Sequence, residues 1–135
     1  MWEIRWFDPS QVDHFTMNKI TLYHLPFYKH LYLINREDWF VEREMYFEFE
    51  TKKKGEKAAE EAFVITNAPE EILNGRQKKL VKGFHGPSLS VGDIVKVEKK
   101  LRVSGDNHEP EYFLCKSFGW EKFEDSTIEL LKYLK

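Results

Sequence analysis

The most regular pattern in the chain lies at residues 39–51, W-F-V-E-R-E-M-Y-F-E-F-E-T. Val41, Met45, Phe47 and Phe49 fall on one side of the alternation, and Glu42, Glu44, Glu48 and Glu50 on the other. A period of two is that of a strand with one buried face, and a slip of one residue would bury the glutamates. The spacing predicts a strand over 39–51. Trp2, Ile4 and Trp6 alternate with Glu3 and Arg5 in the same way, and Asp8-Pro9-Ser10 ends that segment as a turn. Residues 19–25, K-I-T-L-Y-H-L, are β-rich and stop at Pro26. Residues 27–35 suit a short helix and a strand equally.

After the break at Lys52-Lys53-Lys54-Gly55 the period changes. Residues 56–66 predict a helix whose inner face carries Ala59, Ala62, Phe63 and Thr66. Asn67 is placed to cap a second short helix, with Pro69 in its first turn and Glu70 three residues on. Asn74-Gly75 ends that element, and residues 76–87 are expected to be a basic loop. Strands follow at 93–103 and 111–117, joined by the turn chemistry of Ser104-Gly105-Asp106-Asn107. Gly119 interrupts before Trp120. Ser126-x-x-Glu129 has the spacing of a capping box, with Ile128, Leu131 and Leu134 on one face of a closing helix. The expected fold is α+β: a single compact domain over residues 1–135, mostly antiparallel sheet with one or two central helices and a C-terminal helix.

Composition supports a packed core. The 135 residues include eleven Phe, six Tyr and four Trp, and 33% are charged with a net charge of only −2. Large rings supply burial, and the near balance of charge gives no global attraction to nucleic acid or an anionic membrane. The single cysteine, Cys115, excludes an internal disulfide. No stretch approaches the ~20 apolar residues of a membrane span. The N-terminus has no apolar run of signal-peptide length. A cytoplasmic protein without membrane contact is expected.

Candidate chemistry is sparse. None of the five histidines pairs with another at the spacing of a helical metal site, so neither metal nor cofactor is expected. Cys115 lies mid-strand among Phe113, Leu114 and Phe118, where a buried structural thiol is expected rather than a nucleophile. The glutamates of 39–51 suit a solvated strand face. A hydrolase would need His85 beside Ser88 or Ser90 and an orienting carboxylate. The segment 76–102 has a local basic excess, and Arg76, Lys78, Lys79 and Lys82 with Phe84 and His85 form a candidate nucleic-acid or anion site.

The stretch F-H-G-P-S-L-S-V-G-D-I-V-K-V, residues 84–97, has the chemistry of a sharp corner. Gly86-Pro87 stiffens it, Ser88 and Ser90 are expected to accept backbone N–H bonds, and Leu89 and Val91 to anchor it in the core. Gly92 permits a positive φ, and the Asp93 carboxylate is expected to accept backbone bonds within the corner. Four segments also resemble the YodL-like domain family. Lys19–Tyr23 looks like its opening strand. Phe63 through Glu70 is similar to its helix and following element. Ser88-Leu89-Ser90-Val91-Gly92-Asp93-Ile94-Val95 is close to its S-[LM]-S-V-S-D-V-[VI] signature, with Gly92 replacing a serine. Tyr112–Trp120 resembles its final strand, with Lys116 where an aspartate is typical. The resemblance covers about residues 19–123.

That family is a small α+β domain of phages, conjugative elements and related mobile DNA, with no established catalytic activity. The resemblance therefore implies a non-enzymatic interaction module that binds a host or element protein. If strand 93–103 pairs with 111–117, Ser88, Ser90 and Asp93 join Ser117 and Trp120 in a candidate binding surface. The alternative is a nucleic-acid or anion binder using the basic segment.

Overall fold

In the computed structural model, Ile20 and Leu22 are fully buried and their strand has a hydrogen-bonded neighbour on each side. The structure describes residues 17–26, 39–99 and 109–135. The expected N-terminal strand, the ambiguous segment 27–35 and the turn at Ser104–Asn107 lie outside the described residues. The elements are β1 (Asn18–His24), β2 (Glu44–Thr51), α1 (Gly55–Asn67), a 3-10 turn (Glu70–Ile72), α2 (Gly75–Val81), β3 (Ile94–Lys99), β4 (Glu111–Cys115), β5 (Trp120–Lys122) and α3 (Thr127–Leu131). The sheet order is β2-β1-β3-β4-β5 with every pairing antiparallel. The fold is α+β with a C-terminal helix, as the hydrophobic pattern indicates.

Alternation along the strands gives the sheet two apolar faces. One carries Ile20, Leu22, Phe49, Val95, Val97 and Phe113, covered by Ala58, Ala59, Ala62 and Ile65 of α1. Three alanines on the buried stripe let the helix backbone lie close to the large sheet residues. The other face is apolar only at one end, where Ile94, Tyr112 and Leu114 pack with Trp39, Phe123 and Leu130. Its other end is polar, with Lys19 paired to Glu48 and Lys96 near Glu98.

The long strand expected over 39–51 is shorter. It begins at Glu44, and its register against β1 shifts: Leu22 pairs with Phe47, but Tyr23 pairs with Met45. Tyr46 is the extra residue of a bulge, so the alternation inverts there. Met45, expected inside, is 46% exposed, while Tyr46 packs beside His24 and Phe84. Arg43 interrupts the predicted pattern as a buried cation. Its side chain donates to the carbonyls of Gly92, Trp39 and Val41, and its backbone pairs with residues 133–135.

The helices also differ from expectation in instructive ways. Phe63 is 37% exposed rather than in the core, and Glu61 is buried, because α1 rotates its alanines onto the sheet. Asn67 caps no second helix. It ends α1 and donates from Nδ2 to the carbonyls of Phe63 and Leu89. Asn74-Gly75 does not end an element but begins α2. Asn74 Oδ1 accepts from Gln77 N at 2.8 Å, and Gln77 Oε1 accepts from Asn74 N at 3.1 Å. This Asn-x-x-Gln capping box turns part of the expected loop 76–87 into helix. At the C-terminus Ser126 makes no side-chain cap, α3 has five residues, and Leu130 rather than Ile128 or Leu131 is buried.

Glu61 fastens α1 to its neighbours. Arg76 Nη1 and Gln77 Nε2 donate to Oε2, each at 3.1 Å, while Arg76 Nη2 reaches the Glu50 carbonyl. Burial alone would raise the carboxyl. The hydrogen bonds from Arg76, Thr51 and Gln77 outweigh it and hold Glu61 at about 2, against an ordinary 4.5. A depressed native pKa gives stability above pH 4.5 that is lost as pH falls toward 2. The gap corresponds to at most on the order of 3 kcal/mol. Melting temperature measured across that pH window is expected to fall in the wild type. Glu61→Gln is expected to be less stable at pH 7 and to show a flatter acid limb. Parallel curves for the two proteins would refute this role.

Candidate functional site

The corner that ends at Asp93 is built by backbone conformation first. Gly92 sits at φ +97°, the region that glycine adopts without a Cβ clash. Its N–H donates to the Cys115 carbonyl at 2.8 Å, and Cys115 N donates to the Asp93 carbonyl at 2.9 Å. These bonds extend the β3–β4 ladder beyond its last regular pair. Upstream, Gly86 lies so close to Phe84 that a Cβ would fall 2.5 Å from the ring. Leu89 is buried, and its backbone is held at both ends. Its N–H donates to Thr66 Oγ1 at 3.0 Å, and its carbonyl accepts from Asn67 Nδ2 at 3.0 Å. The C-terminal turn of α1 thus clamps the loop to the core.

The Asp93 side chain is fully buried. Oδ1 accepts from Leu25 N at 2.8 Å, and Oδ2 from Ser90 N at 3.0 Å. His24 Nδ1 lies 3.2 Å from Oδ1 and 3.3 Å from Oδ2. Only Ser90 belongs to the corner; Leu25 and His24 come from the end of β1. Burial pushes the Asp93 carboxyl up, and the two amides and His24 pull it back without reversing the shift. The serines do not share this work as expected, since Ser90 Oγ donates to the Ser88 carbonyl.

Pairing of β3 with β4 does bring the 88–92 loop and the 116–120 hairpin to one end of the sheet. Ser88 and Ser117 are exposed there, Ser90 and Trp120 are half-buried, and Asp93 lies beneath them. Trp120 Nε1 donates to Glu60 Oε2 at 2.9 Å. In the basic segment, Arg76 is engaged by Glu61. Phe84 is half-buried with its ring centroid 4.5 Å from that of Phe47. Lys78, Lys79, Lys82 and His85 are exposed.

His24 and Tyr46 are the site residues that the sequence pattern does not single out. The carboxylate that would orient a catalytic histidine meets His24, not His85. An Asp–His pair needs a nucleophile, and the neighbouring candidates are held protonated. Burial pushes the Cys115 thiol up to about 12, with the Asp93 and Glu60 charges adding to it. Burial also raises the Tyr46 phenol, whose oxygen finds no hydrogen-bond partner among the described residues. The contacts shown at this corner are those of a carboxylate holding a loop. Among the described residues no group of three or more His, Cys, Asp or Glu could hold a metal, and no helix is long and apolar enough to cross a membrane.

Charge-assisted bonds of the kind Asp93 accepts contribute roughly 1.5–3 kcal/mol each. Asp93→Ala is expected to lower the melting temperature by several degrees, and Asp93→Asn by less, because the amide oxygen still accepts one N–H. Paired thermal melts decide it. An alanine variant as stable as the wild type would show that the carboxylate does not hold the corner.

Compared with known proteins, the chain matches no family model, no curated protein and no solved structure.

Proposed function

We propose that this protein is a non-enzymatic interaction module of a phage or other mobile genetic element, acting in the cytoplasm by binding a host or element protein. The biological context rests on the resemblance of residues 88–95 and the three other segments to YodL-like domains. The binding role rests on one observation: Phe118, at the apex of the hairpin between β4 and β5, is 97% exposed. A solvated phenylalanine at a hairpin tip adds nothing to the core, and aromatic residues are enriched in protein interfaces. Phe63 and Trp120 lie along the same edge. With Glu60, Lys116 and Ser117 they line a shallow cavity of about 160 Å³. Ser88 and Ser90 do not line it.

The nucleic-acid reading of Arg76, Lys78, Lys79, Lys82, Phe84 and His85 has less support. Arg76 is bound to Glu61, and the Phe84 ring is turned onto Phe47 and Tyr46 rather than offered to a base. Phe118→Ser tests the favoured reading. The variant should melt close to the wild type, since surface changes usually stay within about 0.5 kcal/mol. Affinity capture from the native host should recover a protein with the wild type and lose it with Phe118→Ser. Capture of the same proteins by both, or of none by the wild type, would remove the hairpin as the binding surface.

A further inference from the structure

A cavity away from the β4–β5 hairpin lies between the C-terminal end of α1 and α2. It encloses about 460 Å³, within the range of ligand sites. Its floor is apolar, formed by Ile65, Ala68, Leu73 and Val81, and Lys78, Lys79 and Lys82 line it as well. Glu70 is the only acidic residue among those lining it.

The lysines set the chemistry. On the sheet, Lys96, Lys116 and Lys122 each reach a glutamate. Lys78, Lys79 and Lys82 reach none among the described residues. Three like charges within one helical turn and its cap repel one another, and Glu70 offsets only one of them, so the group favours an anionic occupant. The apolar floor excludes a bare anion as the best fit, because a small ion would leave that floor unfilled. No aromatic ring lines the cavity, so bases have no stacking platform there. An acidic peptide meets both demands, with carboxylates on the lysines and an aliphatic side chain on the floor.

We infer that this cavity binds an acidic peptide segment anchored by an aliphatic side chain. The site is separate from the hairpin that carries Phe118, so either surface can fail without the other. The probe is a fluorescent peptide of repeated Glu-Glu-Leu, titrated with the full chain at low salt, where exposed charges are least screened. Two comparison probes are the same peptide with Ser for Leu and a single-stranded oligothymidylate of equal charge. The Leu peptide should bind at about 100 μM protein or below, and each comparison probe should bind about tenfold or more weakly. The triple variant Lys78→Gln, Lys79→Gln, Lys82→Gln should lose the peptide while staying folded, with a melting temperature within a few degrees of the wild type. Phe118→Ser should bind it as the wild type does. Failure of the Leu peptide to bind, equal binding of the Ser peptide or the oligonucleotide, or unchanged binding by the triple variant would each overturn the inference.

Discussion

A buried carboxylate is costly unless donors surround it, and Asp93 has its donors drawn from separate parts of the chain. Leu25 N comes from the end of β1, Ser90 N from the corner before β3, and His24 from the last residue of β1. Two of these groups are backbone amides and the third is an imidazole, all at places where the regular ladder has run out. Asp93 supplies both of its carboxylate oxygens to the two amides, Oδ1 to Leu25 N and Oδ2 to Ser90 N. The same short segment carries the Gly92 carbonyl that accepts from buried Arg43, and Arg43 in turn ties residues 133–135 to the end of β2. The Gly92-Asp93 dipeptide therefore joins β1, β4, the 88–92 loop and the chain's C-terminal end.

Glu61 does the same for the helical layer, with Arg76 and Gln77 as donors. The two buried acids thus absorb the polar chemistry that a sequence reading would offer to a ligand. What remains at the surface is of a different kind. One edge presents a solvated phenylalanine beside a tryptophan, and the α1–α2 cavity presents lysines that form no ion pair among the described residues. The proposed binding roles rest on these two features.

The elements with strong periodicity were legible from the chain. β1, α1, β3 and β4 stand where the pattern puts them to within a few residues, and Gly92 takes the positive φ that the corner requires. The failures have specific causes. The bulge at Tyr46 breaks a period of two that looks unbroken in one dimension, since a register shift depends on the partner strand. Hydrophobicity points Phe63 inward, yet the alanine stripe sets the rotation of α1. Asn74 and Gln77 carried a capping box that Gly75 disguised as a terminator. At the site, the role of Asp93 was visible in its loop. Its partners Leu25 and His24, 68 and 69 residues away, were not, because only the fold brings them near.

The central claim is that one carboxylate fixes backbone from two distant segments, and amide hydrogen exchange reads this residue by residue. The Leu25 and Ser90 amides should be protected in the wild type. In Asp93→Ala both should exchange much faster, while amides in the middle of β1 and β3, such as Ile20 and Val97, keep their relative protection. Rapid exchange of Leu25 and Ser90 in the wild type, or unchanged protection in the variant, would contradict the account.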